Sequence, residues 1–329
     1  MPPRIRFGVN LNFTKYVYGR KRALEIVRER LGMRHAEMVA DNDFGAVFYA
    51  RSPEAFREYH YEVADHARQL GVRLPGVFTF YREAGAIAHE LSGIRESAYL
   101  VGLSLLEQAA CYGAKYLGAS LFTMDKDAAE DPERFQSQFD AAIEIWKRWM
   151  VDARRLGVSY LAMEMAAAYR EGCSTIEDTR ATLTLLSEYH EKNPDTTVPV
   201  RLCYDTGHGI SSTENPDDTN RDYRAWLREF SSVITNIHLK NTDPDFLETW
   251  HFGNDRDGII DVREVLERIR DTSEVDELYL FLEVPGKRGR DIGEERAIAE
   301  HRRSIEHVTG ILSELGYTED PSGVWVNGA

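Results

Sequence analysis

The sequence predicts one (β/α)8 barrel domain spanning residues 1–329. Three observations predict it. Short apolar runs rich in Val, Ile, Leu, Tyr and Phe alternate with longer helical patterns along the whole chain, as buried parallel strands alternate with crossover helices. The alternation gives eight of each, the count of a closed barrel. No low-complexity linker, Pro/Ser-rich joint or short-period repeat interrupts it. An open doubly wound sheet would call for a topological switch point and usually a glycine-rich first turn. GVNLNF after the first run supplies no such turn.

The strands are expected at Arg4–Asn12, His35–Asp41, Arg73–Phe80, Lys115–Phe122, Val158–Met165, Val200–Asp205, Ile234–Asn241 and Leu278–Val284. Each is a short run with β-branched or aromatic content, of buried-strand length. The helices are expected at Arg20–Leu31, Pro53–Leu70, Gly93–Tyr112, Pro132–Leu156, Thr175–Lys192, Asn220–Glu229, Val262–Arg270 and Glu294–Leu315. Ser52-Pro53 reads as an N-cap followed by a first-turn proline. Gly71, Gly113, Gly157 and Gly316 stand where a helix-ending glycine belongs. Ser174 or Thr175, with Asp178 a turn later, resembles a capping box.

Composition excludes several classes. The 329 residues are 43% hydrophobic and 29% charged, an ordinary globular balance with enough apolar mass for a large core. A net charge of -15 argues against general nucleic-acid binding, which needs basic surface. The start, MPPRIRFGVNLN, has no apolar signal region, and no apolar run is long enough to span a membrane. Cys111, Cys173 and Cys203 are odd in number and lack metal-type spacing, so no disulfide framework is expected. A cytoplasmic location is the default expectation, and a homo-oligomer is left open.

Four polar residues end four of the apolar runs: Glu164 in VSYLAMEM, Asp205 in VRLCYDTGH, His238 in ITNIHLKNTD and Glu283 in LYLFLEVPG. They lie 33 to 45 residues apart, one strand-plus-helix unit each. Residues two apart in a strand share a face. Cys203 is therefore in phase with Asp205, Asn236 with His238 and Lys240, Phe281 with Glu283, and Ala162 with Glu164. The opposite face, with Met163, Leu202, Tyr204, Ile237, Leu239, Leu280 and Leu282, is apolar and suits the layer beneath the helices. The four thus share the pore face at the C-terminal strand ends, where barrel active sites sit. A buried carboxylate or imidazole costs several kcal/mol unless paired, roughly the desolvation cost of a charged group. One divalent metal ion is the simplest shared partner, while buried hydrogen-bonding or solvated strand ends are the alternative for any one residue.

These motifs resemble the xylose isomerase-like barrels, which include sugar epimerases of the D-tagatose 3-epimerase type, hydroxypyruvate isomerase and endonuclease IV. Members end the fifth strand on Glu, the sixth on Asp-x-x-His, and carry His on the seventh and Glu on the eighth. Here these are LAMEM, DTGH with His208, IHLK and FLEVPG, and DGIIDVREVLERI (Asp257–Ile269) is similar to the segment entering the seventh helix. Endonuclease IV needs extra histidines that LPGVFTFYRE and GASLFTMDKD lack. His251 could match a later ligand of that cluster, but Thr249 replaces the Asp expected two residues before it. A mononuclear site of two Glu, one Asp and one His remains. Its oxygen-rich donors suit Mn2+ or Mg2+, with Co2+ or Zn2+ as further choices.

The resemblance implies an isomerase or 3-epimerase of a small ketose or ketose phosphate, working by proton transfer through an enediolate. It implies that Glu164 and Glu283 hold the metal and also act as acid and base. His208 would then bond a substrate oxygen or, failing that, orient Asp205. The family arginine six residues after the seventh-strand His is Pro244 here, which leaves Lys240, on the pore face, as the first basic group of that strand, a substrate-binding residue and a rival candidate for a phosphate. YREGCST (Tyr169–Thr175) is similar to a segment of relatives that act on four-carbon ketose phosphates such as erythrulose phosphate, with Glu171 as a substrate ligand. GKRGRDIG (Gly286–Gly293) offers Lys287, Arg288 and Arg290 to a phosphate, or is a solvated basic turn. The competing readings are a dehydratase of the inosose or dehydroshikimate type and a non-catalytic sugar-binding barrel.

Overall fold

A computed structural model describes residues 1–14, 17–40, 45–80, 82–208, 218–243, 249–253, 258–284 and 293–328. Numbered in chain order, its strands are β1 (Arg4–Asn10), β2 (His35–Val39), β3 (Arg73–Thr79), β4 (Tyr116–Ser120), β5 (Tyr160–Glu164), β6 (Val200–Asp205), β7 (Ile234–Leu239), β8 (Asn241–Thr242), β9 (Thr249–Trp250), β10 (Glu277–Leu282), β11 (Tyr317–Glu319) and β12 (Val324–Asn327). The sheet runs β10-β7-β6-β5-β4-β3-β2-β1, and β10 pairs with β1 again, so the eight parallel strands close into a (β/α)8 barrel. All eight expected strands are present, most of them shorter than the apolar run that announced them.

Helices fill the intervals: α1 (Arg20–Glu25), α2 (Gly45–Arg51), α3 (Pro53–Leu70), α4 (Arg82–Gly85), α5 (Ser92–Tyr112), α6 (Lys126–Ala129), α7 (Pro132–Leu156), α8 (Ile176–Lys192), α9 (Tyr223–Phe230), α10 (Val262–Thr272) and α11 (Glu294–Glu314). The ends follow the expected chemistry. Gly71, Gly113, Gly157 and Gly316 all have positive φ, the left-handed ending that glycine adopts without penalty. Thr175, rather than Ser174, caps α8 by accepting from the Asp178 amide at 3.0 Å. The expected first helix is α1 only as far as Glu25, and Ile26–Arg30 continues as a π turn.

By internal contacts the chain divides into two compact units. The first comprises Met1–Glu37, His66–Arg73 and Cys203–Ala329. Its centre is β1 beside β10 beside β7, with Phe7 opposite Leu280, Val9 opposite Leu282, and Phe281 opposite His238. A C-terminal hairpin, β11–β12, adds an antiparallel pairing of Trp325 with Ile5. This hairpin, like the short β8–β9 pair, was not expected from the sequence.

The second unit comprises Met38–Asp65 and Leu74–Leu202. Here β3, β4 and β5 run in register, and Ser120 stands opposite Glu164. Helices α5 and α7 pack around Trp146 and Trp149, whose indole N–H groups donate to the carbonyls of Leu121 (2.8 Å) and Tyr99 (3.1 Å). Gly102 of α5 lets the helices meet closely, for a Cβ there would lie 2.2 Å from the Trp149 ring. Alanine is ordinarily the better helix residue by roughly 1 kcal/mol. At this position the clash dominates, since overpacking costs about 1–3 kcal/mol. Gly102→Ala is expected to lower the urea midpoint, and a rise would show that the α5–α7 seam has slack.

Candidate metal and substrate site

Glu164, Asp205, His238 and Glu283 are all buried; Asp205, His238 and Glu283 belong to the first unit and Glu164 to the second. Each sits at or within one residue of the C-terminal end of its strand, β5, β6, β7 or β10. The strands themselves explain the placement. Their apolar residues fix which face turns inward, and the last polar residue follows that phase.

Within the first unit the side chains form a continuous polar network. Asp205 Oδ1 accepts the Gly207 amide at 2.7 Å. Its Oδ2 lies 2.6 Å from the Lys240 ammonium and 3.4 Å from His208 Nε2. Glu283 Oε1 accepts from Asn12 Nδ2 at 3.2 Å and lies 3.1 Å from Lys240 Nζ. Glu283 Oε2 stands 3.0 Å from His238 Nδ1. The other ring nitrogen, Nε2, is 2.8 Å from Glu37 Oε2 on β2, and Asn10 Nδ2 donates to the same oxygen.

This geometry fits a divalent ion. Asp205 Oδ2 and Glu283 Oε2 are fully buried yet receive no hydrogen bond of good geometry, although cations stand 2.6 and 3.0 Å away. The two observations differ in kind: the neighbours neutralise the oxygens without aiming a proton at them. Oxygens so placed are suited to a metal, and an oxygen-rich donor set with one imidazole accommodates Mn2+, Mg2+, Co2+ or Zn2+. With Nε2–H given to Glu37, Nδ1 is the nitrogen that faces the carboxylates, and a metal that took the place of its proton would find the usual arrangement of a ligating imidazole with a carboxylate behind it.

Charge is arranged accordingly. Burial raises the Glu283 carboxyl, but the Lys240 ammonium and the His238 ring outweigh it and hold the group well below the usual carboxylate range. For His238 burial lowers proton affinity, and Cys203, Glu37 and Glu283 outweigh it, holding the ring well above its ordinary value.

Hydrogen bonds at the ends of β6 and β7 hold Lys240 in place. Thr206 Oγ1 donates to the Lys240 carbonyl at 2.7 Å and accepts the Lys240 amide at 2.8 Å. Gly207 fits closely beside it, since a Cβ there would stand 3.0 Å from the lysine side chain.

Other residues anticipated from the sequence lie elsewhere. Glu171 is on a 3₁₀ turn, Tyr169–Glu171, after β5, and its carbonyl accepts the Phe122 amide at 3.3 Å. His251 packs against α11, with His301 at 4.6 Å between ring centres, Glu300 Oε2 at 3.4 Å and Ser304 Oγ at 3.4 Å. Lys287, Arg288, Arg290 and Pro244 lie outside the described residues. Glu37, Asn10 and Asn12 were not anticipated. The signal for Glu37 was present: a carboxylate in the middle of the apolar run HAEMV, buried with 0% exposure.

No family model matches the chain, and no curated protein matches it. Solved structures do. A Rhodospirillum rubrum protein described as a candidate xylose isomerase is similar at TM-score 0.79 and 19% identity, over 93% of this chain and 99% of that one. The D-psicose 3-epimerase of Clostridium cellulolyticum H10, solved with D-tagatose, gives TM-score 0.62 and 16% identity over 93% and 99%. The IOLI protein, solved with a bound zinc atom, gives 0.60 and 15% over 93% and 98%. At these identities the likeness shows the fold alone, a (β/α)8 barrel. Among the described residues no helix is long and apolar enough to cross a membrane.

Two buried histidines, His301 on α11 and His35 on β2, also predict a pH response. Burial pushes His301 down to about 4, against a weaker opposing pull from the Ala297 carbonyl and Glu300. Burial likewise takes His35 to about 4, helped by Arg6 and Arg73. An unfolded histidine takes up its proton near pH 6.5, and these buried rings do so only near pH 4. Their contribution is therefore full above pH 6.5 and is lost as pH falls towards 4. For His301 alone the loss is on the order of 3 kcal/mol, at 1.36 kcal/mol per pK unit. His301→Gln is expected to flatten the dependence of unfolding free energy on pH between 7 and 4. An unchanged slope would place the proton uptake elsewhere.

Proposed function

We propose that the chain is a divalent-metal-dependent isomerase or 3-epimerase of a small ketose or ketose phosphate, with residues 1–329 acting as one barrel. The observation that carries this reading is the buried set of Asp205, His238 and Glu283 at C-terminal strand ends of the first unit, with Glu164 buried at the end of β5 in the second, in a fold shared with proteins described as sugar epimerases and isomerases. The four residues are the metal ligands in this reading. A bound divalent ion supplies Lewis acidity towards a sugar carbonyl, and Mn2+ or Mg2+ suits the donors best.

The residues do the remaining work. Glu283 takes or returns a proton at the carbon next to the carbonyl. In the metal-free chain the Lys240 ammonium beside it holds it ionised. Glu164 serves the opposite face. His208, 3.4 Å from Asp205 and less deeply buried than it, bonds a substrate oxygen. Asn12 and Gly207 hold the carboxylates in place, and Glu37 fixes the His238 ring. Glu171, His251, Lys287 and Arg290 are assigned to the outer part of the substrate, with the two basic residues taking a phosphate where one is present.

Purified protein is expected to hold about one divalent ion per chain by elemental mass spectrometry, the single ion such a ligand set accommodates. Asp205→Ala and His238→Ala should each remove most of it, and wild-type occupancy in both would overturn the site. In fully metallated protein, Glu283→Gln or Glu164→Gln should cut turnover by roughly two orders of magnitude or more, the range of general acid–base catalysis. Solvent deuterium should enter the product at the reacting carbon. Its absence from a product formed at normal rate would rule out proton exchange with water.

A further inference from the structure

Lys240 stands out within this network. It is the second residue past His238, 8% exposed, in the polar layer where the candidate ligands converge. Its ammonium touches one oxygen of each of two candidate ligands, Asp205 Oδ2 at 2.6 Å and Glu283 Oε1 at 3.1 Å. On Asp205 the other oxygen already accepts the Gly207 amide at 2.7 Å. Oδ2, which receives no hydrogen bond of good geometry, is therefore the oxygen better placed for a metal, and it is the one the lysine faces. Metal–oxygen bonds of Mg2+ are about 2.0–2.1 Å long, so a metal and an ammonium on this oxygen would stand only a few ångströms apart. Like charges that close in a buried site repel strongly.

We propose that Lys240 is a built-in competitor for the metal position, a tethered cation that neutralises Asp205 and Glu283 until a divalent ion displaces it. This rests on the metal-site reading above and adds to it a device that sets metal affinity. The ion pair has the right properties for that role. It is short, it is shielded from water, and its backbone is clamped by Thr206 on both amide and carbonyl. A further polar partner is also within reach of the side chain, since His208 Nε2 lies 3.5 Å from Nζ. Displaced that way, the ammonium meets the region assigned to substrate oxygens. Metal uptake would then deliver a substrate-binding charge, so that sugar binds productively only to the loaded site.

The test uses the full chain, stripped with chelator and titrated with Mn2+ by calorimetry, in wild type, Lys240→Met, Lys240→Gln and Lys240→Arg. Met and Gln are expected to bind Mn2+ at least tenfold tighter than wild type, about 1.4 kcal/mol, and to melt at lower temperature when metal-free. Arg, which keeps the charge, should bind no tighter than wild type. Charge removal alone could tighten binding, so displacement is read separately: brief acetylation followed by peptide mass spectrometry should label Lys240 severalfold faster once Mn2+ is present. Unchanged or weaker Mn2+ binding in folded Met and Gln variants, or labelling that Mn2+ leaves unaltered, overturns the proposal while the metal site stands. If no variant and not the wild type binds Mn2+, the metal site falls and this inference falls with it.

Discussion

Buried negative charge is the constraint on which the centre of this molecule depends. Asp205 and Glu283 are at most 1% exposed, and a carboxylate removed from water costs several kcal/mol unless compensated. The compensation comes from many places. Lys240 supplies full charge, His238 a ring held in its protonated form, Asn12 and the Gly207 amide supply dipoles. Removing any one of them leaves the others with more charge than they can balance. The barrel makes such a concentration workable, because β6, β7 and β10 each bring one candidate ligand to the centre from a largely buried strand.

The same constraint explains residues that never touch a reacting atom. Register places Asn10 opposite Glu37, Asn10 donates to Glu37, and Glu37 meets His238 from behind. This relay fixes which ring nitrogen faces the carboxylates, and it does so with groups on β1 and β2, far in sequence from the ligands. Asn10 also accepts the Asn12 amide at 2.9 Å, which sets Asn12 to reach Glu283. Two asparagines and a glutamate therefore align what four strand ends display.

Much of this was legible in the sequence, because strand phase and strand ends are local properties. The eight strands, the helix-ending glycines at 71, 113, 157 and 316, and the shared setting of Asp205, His238, Lys240 and Glu283 all follow from period and position. What escaped notice had different causes. Glu37 sits inside its strand rather than at the end, so a search for polar termini passes over it. The β8–β9 and β11–β12 hairpins are only two to four residues per strand, too short for periodicity to register. Trp325 reads as tail until it pairs with Ile5. The π turn at Ile26–Arg30 shares the apolar spacing of an ordinary helix and differs only in hydrogen bonding. The packing of His251 against His301 and Ser304 is set by α11, about fifty residues away in the chain, and no local pattern announces it.

The fold and the chemistry rest on different evidence, and the network shows why. Barrels of this kind share strand order at identities below one in five, so strand order alone constrains little of what happens at the strand ends. The ends are constrained by electrostatics. Once a chain places carboxylates in a dry interior, it must also place cations, and a choice of cation is a choice of function. A fixed arginine would make a permanent ion pair and close the position. A lysine on a flexible four-carbon stem holds the same charge as a compact ammonium that a competing ion can move. Lys240 beside Asp205 and Glu283 is the second solution, one that keeps the barrel stable without committing its carboxylates.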